Sequence, residues 1–508
     1  MLRYSPGFVA IAIAIADSIR FADPDLWGHI RFGEALVRHG RIVFRDPYSY
    51  SAPGHLWLNH EWLAEAIMAA AYGAFGVFGL KLMKLALAAA AISALAGAES
   101  ETDAPIPIQL GVLIVTALMA APWFEFRPQL FTFALFGALM MLLARDARGR
   151  PAPLWIAIAL LALWANLHGG FIIGIAALVI YSAAAGAQDW FAGRGWSRLE
   201  RLGAVTIAAA LATFATPYGA GAWRAVLRAL ANPDTRLVVA DWRPLLASVA
   251  AHWHSEPLRA IYDLAPLVLG AALAASIAAA PAIDDPGLVA IAAAMLAGAL
   301  VSIRNAPIAE IAIAVPLARH LGLALARRPA RIDAPGIGAL AARMRPPAAN
   351  QAALAALAIA LLAGTNFFSA RLSARERYPA GAVAFMDARG LGGDVLGDFL
   401  WGEYLIWHLA PGSRVFIDAR YDTVYPQSVI RDYILFHLGE SDAVLDAYRH
   451  DFVLIAPKLR ARSLMDARRD WRLVYRDDAA LVYAPAGSPA ARIAGIPIAG
   501  VAPPTSFP

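Results

Sequence analysis

A polytopic α-helical membrane protein with a small α/β domain toward its carboxy-terminal end is the fold this sequence predicts, on three observations. Of its 508 residues 60% are hydrophobic, and the mean hydropathy of +0.56 is higher than a soluble chain tolerates. The apolar residues gather into stretches of the length needed to cross a hydrocarbon core, about 17 to 25 residues. Beyond Arg371 the hydrophobic runs shorten to strand length and alternate with helical patterns.

Taken in order, the candidate spans lie near 5–21, 76–97, 105–121, 130–144, 153–165, 169–186, 202–217, 261–280, 287–303, 306–326 and 352–368, which makes about eleven helices. Threading them with the amino terminus inside puts Arg145, Arg148, Arg150, Arg194, Arg198, Arg201, Arg327, Arg328, Arg331, Arg343 and Arg345 in cytoplasmic loops, as the positive-inside tendency asks. The net charge of +5 therefore follows loop topology and is no sign of a nucleic-acid partner. Two turns on the same side, 99–103 and 284–285, are acidic, which that tendency leaves unexplained. The first segment, with Arg3, an apolar stretch and small residues near Ala16, has the features of a signal peptide but reads better as an uncleaved anchor, because a polar motif follows it at once. There is no cysteine, so disulfides and thiolate chemistry are excluded. Arginine far outnumbers lysine and alanine is abundant, which points to a GC-rich bacterial genome and hence to a bacterial inner membrane.

The chain divides into a membrane body over 1–369, which includes a first outer loop at 23–75, an α/β domain over 370–485, and an Ala-, Gly- and Pro-rich flexible end over 486–508. Strands are expected at 394–397, 415–417, 452–456, 471–475 and 480–483, and helices at 429–438 and 443–448, with Asp477-Asp478 closing a hairpin. The threading leaves this domain outside, in the periplasm. No solenoid period and no inverted repeat of the transporter kind is visible.

The same threading carries the polar clusters to the outer face: Asp23-Pro-Asp25 through His29, Asn59-His60-Glu61-Trp62, Glu125-Phe-Arg127-Pro-Gln129, Asn166-Leu-His168-Gly-Gly, Asp241-Trp-Arg243 and Arg304-Asn305. Ionisable groups at bilayer depth are costly, so several on one face suggest function. From Asp25 to Gly40, apolar Leu26, Ile30, Leu36 and Val37 alternate with polar residues as in a short amphipathic helix on the membrane surface. Asp25 and His29, four apart, share a face near its start, where the helix dipole favours a carboxylate. Capping alone accounts for one of the two aspartates.

Asp25, Trp27 to Ile30, Leu36 and Gly40, then Trp62-Leu63, Phe75-Gly76 and Lys84, resemble the first-loop pattern of the GT-C class of membrane glycosyltransferases. The resemblance implies a GT-C-like fold and transfer of a sugar from a polyprenyl-phosphate donor at the outer face, with Asp25 at the position of that class's proposed base. Asp25-Leu26 and His60-Glu61 stand where many relatives have Asp-Glu and Pro-Pro, so no single relative's donor or acceptor carries over. In the tail, Asp398-Phe-Leu-Trp401-Gly-Glu-Tyr404 followed by Arg414 to Arg420 and Asp451-Phe-Val-Leu-Ile is similar in order to the outer domain of oligosaccharyltransferase catalytic subunits. The Trp-Trp-Asp-Tyr-Gly string of those subunits is missing, which speaks against protein N-glycosylation.

Transfer from a lipid phosphate needs a base for the acceptor hydroxyl and cations for the departing phosphate. Asp25 is the candidate base, with Asp23 or Glu61 as helper; Arg127, Arg304 and Lys84 are the candidate phosphate binders. For the arginines, snorkelling to headgroups is the competing account. His29, His60, Trp62, Gln129, Asn166, His168, Asp418 and Arg420 complete the expected substrate cleft. The three histidines read better as hydrogen-bonding groups than as a metal site, because no two show zincin spacing, and no cofactor is required, with a divalent cation left open as the alternative. Asn166 to Gly170 reads equally as a helix terminus. Trp27, Trp57, Trp62 and Trp123 read as an interfacial belt or as faces on which sugars stack. Asp418, Arg420 and Asp422 alternate along an expected strand, as an internal salt bridge or as the acceptor side of the cleft. The partners implied are a polyprenyl-phosphate sugar, a lipid, glycan or protein acceptor and membrane lipids. A transporter and a non-catalytic envelope scaffold are the rival readings.

Overall fold

The computed structural model describes residues 20–232, 239–327, 367, 369–374, 377–493 and 506–507. Almost all of the span expected at 5–21, the span at 352–368 apart from Phe367, Arg328, Arg331, Arg343, Arg345 and most of the end beyond residue 493 lie outside the described residues. The chain forms two units: a helical one of residues 1–20, 81–220 and 235–368, and a second of residues 21–80, 221–234 and 369–508.

In chain order the helices begin with α1 (Leu26–His39) and α2 (Trp62–Ser100) and continue with α3 (Ile106–Ala120), α4 (Gln129–Ala147), α5 (Ile156–Leu167), α6 (Phe171–Phe191), α7 (Ser197–Ala212), α8 (Ala220–Ala231), α9 (Leu245–His252), α10 (Pro257–Ala279), α11 (Pro286–Val301) and α12 (Ala306–Ala326). Among the described residues six helices are long and apolar enough to cross a membrane, α2, α3, α4, α6, α10 and α12, of which α3 and α12 are lengthened by a short 3-10 turn. The chain is a membrane protein, and six of the about eleven expected spans are found as such helices among the described residues. The segments at 153–165 and 287–303 form the shorter apolar helices α5 and α11. The one at 202–217 is displaced: α7 starts earlier, through the charged turn of Arg198, Glu200 and Arg201, and stops at Ala212 ahead of Pro217. Apolar residues after the helix end had extended the hydropathy signal beyond the helix itself.

Within the helical unit, α12 packs against α3, α10 and α11, and every residue from Ala306 to Ala318 is buried. The two acidic turns find their reason here. Glu101 takes Arg145 at 2.9 Å and Arg150, Asp284 takes Arg148 at 3.0 Å and Arg319 at 2.6 Å, and Asp285 takes Arg148. These acids neutralise the arginines of neighbouring turns.

α2 breaks at Gly76 (φ 59, ψ −146), a conformation that favours glycine. The expected span at 76–97 is the stretch after that break. In the second unit the chain opens with β1 (Phe21–Ala22), which pairs in parallel with β2 (Ser373–Ala374). After β2 come α13 (Ala380–Ala388), β3 (Gly393–Gly397), α14 (Gly402–Leu409), β4 (Ser413–Val415), α15 (Gln427–His437), α16 (Val444–Ala447), β5 (Phe452–Ile455), α17 (Ala461–Ala467), β6 (Trp471–Arg476) and β7 (Leu481–Pro485). The sheet order is β4-β3-β5-β7-β6, parallel through β4, β3 and β5 and antiparallel at β7 and β6. One expected strand is corrected. β4 ends at Val415, because the Asp418 carboxylate accepts the Arg420 N–H at 3.0 Å and turns the chain, so Asp418, Arg420 and Asp422 do not alternate on a strand.

The core of this unit is aromatic. Trp27, fully buried, lies 4.7 Å from Tyr378, 5.7 Å from Tyr404 and 5.2 Å from Phe507 between ring centroids. Trp57 packs on Phe32 at 5.0 Å. Trp27 and Trp57, like Trp123 in the helical unit, are therefore interior residues and not an interfacial belt. Full burial of such a side chain stabilises by roughly 1.5 to 3 kcal/mol.

Candidate functional site

The first loop enters α1 through Asp23-Pro24-Asp25, and the two aspartates separate there. Asp23 is buried and its Oδ1 accepts the Asp25 N–H at 2.9 Å, which fixes the turn. Asp25 stands at the N-cap position, half-buried, and its side chain makes no capping hydrogen bond. The cap comes from elsewhere: Glu403, at the start of α14, accepts the Gly28 N–H at 3.1 Å. Glycine at position 28 leaves room for this approach, since a Cβ there would press on the Glu403 side chain. Burial, followed by the charges of Asp25, Asp418 and Glu65, raises the Glu403 carboxyl well above the usual carboxylate range. At its other end α1 stops at Gly40, left-handed at φ 60.

His29, one residue further, points its Nδ1 at the Glu65 carboxylate, 3.3 Å away. Burial alone lowers its pKa, but the Glu65 hydrogen bond and the charges of Glu61, Glu65 and Asp25 outweigh burial and raise it to about 9. Glu61 and Glu65 are one helical turn apart, Glu61 just before the start of α2 and Glu65 in its first turn. Asn59 holds both: its amide donates to Glu65 Oε2 at 2.6 Å, and its carbonyl oxygen accepts the Glu61 N–H at 3.1 Å. Ligand atoms of His29, Glu61 and Glu65 lie within 4.8 Å of one another. His60 is 3.8 Å from Glu61, and Trp62, half-buried, begins α2.

Asp418 and Arg420 form an internal ion pair, the plainer of the two readings of their spacing. Arg420 donates through Nε and Nη2 to Asp418 at 2.8 and 2.7 Å and through Nη1 to Asp46 at 2.7 Å. Its guanidinium stacks on Trp57 at 4.8 Å, Phe32 at 5.0 Å and Tyr48 at 5.3 Å. The Tyr425 hydroxyl donates to the second Asp418 oxygen, 2.7 Å away. Asp422 takes Asn232 and Gln427 instead, at 3.0 and 2.8 Å.

Within the helical unit a second cluster forms. Arg127 reaches Asp241 at 3.1 Å and Glu125 at 3.7 Å; Arg304 stacks on Trp242 at 4.7 Å; and the Gln129 amide approaches the Arg304 carbonyl at 3.5 Å. The turns at 125–129, 241–243 and 302–305 thus meet in space. Lys84 is fully buried, its Nζ 4.3 Å from the centroid of Phe126. The Asn166 amide donates to the carbonyls of Ala162 and Ala215, and His168 Nδ1 accepts the Gly170 N–H at 3.0 Å in the turn before α6.

Sequence reasoning missed Glu65, Glu403 and Asp46 as members of these centres, and placed Asn59 in the outer polar cluster without giving it a role. The spacing of Glu61 and Glu65 was a usable signal; Glu403 and Asp46 gave none, because their partners lie hundreds of residues away in the chain.

No family model and no curated protein sequence matches the chain. Solved structures do. An oligosaccharyltransferase from Archaeoglobus fulgidus, AglB, in complex with an inhibitory peptide and a dolichol-phosphate, matches at a TM-score of 0.58 and 12% identity, over 89% of this chain and 69% of that one. The apo form of the A. fulgidus oligosaccharyltransferase matches at 0.56, with the same identity and coverage. ArnT from Cupriavidus metallidurans bound to undecaprenyl phosphate is similar at a TM-score of 0.48 and 14% identity, over 96% and 98% of the two chains. The fold is thus that of the GT-C class, as the first loop led one to expect.

Proposed function

We propose that the chain is a membrane glycosyltransferase that moves a sugar from a polyprenyl-phosphate carrier to an envelope acceptor at the outer face of a bacterial inner membrane. The observation that carries this reading is the fold shared with an oligosaccharyltransferase whose structure holds a dolichol-phosphate. Asp25 is the base. Its place at the entry of α1 supports this, and Asp23, whose Oδ1 accepts the Asp25 N–H, keeps its neighbour in place. A carboxylate that accepts the acceptor's proton in the transition state contributes roughly 10²- to 10⁴-fold to the rate. Arg127, Arg304 and Lys84 stabilise charge on the departing lipid phosphate. The topology that goes with this reading has the amino terminus inside and the first loop and sheet-bearing tail outside.

The test is transfer by the purified chain, reconstituted in lipid with polyprenyl-phosphate sugars as donors and envelope lipids as acceptors. Asp25→Asn keeps the size and most hydrogen bonding of the residue, so it should fall by that factor with its melting temperature unchanged. Near wild-type turnover in that variant would remove the base assignment. Reporter fusions after residue 368 check the topology: a reporter active only in the cytoplasm should be silent there.

A further inference from the structure

One side of α8 is buried and fixed in place. Gly221, Ala222, Ala225 and Val226 face inward, and the buried Asn232 just beyond the helix donates to both Asp422 oxygens, at 3.0 and 3.1 Å. The opposite side is exposed and carries Arg224, Leu227, Arg228 and Leu230, with both leucines about half exposed. At 3.6 residues per turn Leu227 and Leu230 fall side by side, and Arg224 and Arg228 form a second row, one turn apart, next to them. α8 contains no acidic residue, and among the described residues neither arginine makes an ion pair or a side-chain hydrogen bond.

We infer that this face of α8 rests on a bilayer surface and binds the phosphate groups of anionic phospholipids. Helices that lie in the interface combine arginines and leucines in this way: the leucines enter the boundary of the acyl chains, and the guanidinium groups meet headgroup oxygens. Each guanidinium presents a fork of donors that pairs with two phosphate oxygens. An acidic protein surface would match the arginines and leave the leucines wet, whereas a headgroup with its acyl chains matches both. The chain also keeps α8 within reach of lipid. The seven residues 213–219 that join it to α7 extend at most roughly 25 to 30 Å, and Ile207 and Leu211 of α7 are themselves exposed. Through the Asn232–Asp422 contact, α8 then ties the sheet-bearing part of its unit to the charge of the membrane. Which leaflet it meets rests on the proposed topology; contact with anionic lipid does not, nor does it depend on sugar transfer.

Because the chain has no cysteine, Leu227→Cys creates a single labelling position. The whole chain, spin-labelled there and placed in nanodiscs, is followed by electron paramagnetic resonance with oxygen and a water-soluble nickel chelate as relaxing agents. In phosphatidylglycerol the label should be open to oxygen and several-fold less accessible to nickel than in phosphatidylcholine. An arginine near an anionic surface is worth roughly fivefold in occupancy. Arg224→Gln together with Arg228→Gln should therefore abolish the difference between the two lipids, with the melting temperature retained because both positions are exposed. Equal nickel accessibility in the two lipids, or a difference that survives both substitutions, overturns the inference. So does spin–spin broadening in detergent without lipid, which would make a second copy of the chain the occupant of this face.

Discussion

The second unit holds two buried charge centres that are built on opposite principles. Around Arg420 the account closes: Asp418 and Asp46 match the guanidinium, Tyr425 takes a remaining acceptor, and aromatic faces cover the rest. Around His29 the partners are acids alone in the interactions seen: its ring meets the Glu65 carboxylate, and against burial the charges of Glu61, Glu65 and Asp25 raise its pKa. A saturated centre holds a fold together. A titratable imidazole among acids can instead exchange protons, which is why the first loop and not the tail carries the proposed chemistry.

The sharpest way to break this contrast is to open the closed centre. Arg420→Met leaves Asp418 and Asp46 buried without their cation and should cost about 3 to 5 kcal/mol. Chemical denaturation in detergent measures it; a loss under 1 kcal/mol would mean that the Arg420 network is not what secures this part of the unit.

The next effect concerns the helical unit. If Arg127 and Arg304 hold the donor, Arg127→Gln and Arg304→Gln should each lose a charge-assisted bond of about 1.5 to 3 kcal/mol, roughly tenfold to a hundredfold in affinity for a polyprenyl-phosphate analogue. Snorkelling arginines predict equal affinities, and binding to the purified variants separates the two.

Glu403 gives a smaller, pH-dependent signature. Its carboxyl is raised well above the ordinary glutamate value of 4.5 in the folded state, so the folded form keeps a proton that the unfolded form releases. The stability this provides is full below that value and is lost as pH rises through the folded pKa. Glu403→Gln, which still accepts the Gly28 N–H, should flatten that decline; parallel slopes in wild type and variant over pH 4 to 8 would assign the decline to other groups. Least of all should Asp23→Asn do: its oxygen still accepts the Asp25 N–H, and the expected loss of stability is at most about 1 kcal/mol by denaturation.

What could be read along the chain was local. The α1 helix from Asp25 to Gly40, its left-handed stop and the polar turns of the helical unit follow from 3.6-residue periodicity, glycine and hydropathy. The strands near 394–397, 452–456, 471–475 and 480–483 follow from short apolar runs between turn residues. Hydropathy overran at 202–217, since it measures composition and not where a helix ends. Asp23 and Asp25 looked alike as caps, and only the fold distinguished them.

The sequence by itself determined the class of the molecule, because burial of apolar surface and backbone periodicity are set by neighbours within a few turns. The tertiary structure decided which charges are matched. Glu403 reaches Gly28, and Asp46 reaches Arg420, across more than 370 residues. Whether a buried carboxylate meets a guanidinium, an amide or another acid depends on which distant segments pack together, and Coulomb energy at a few ångströms is indifferent to separation along the chain.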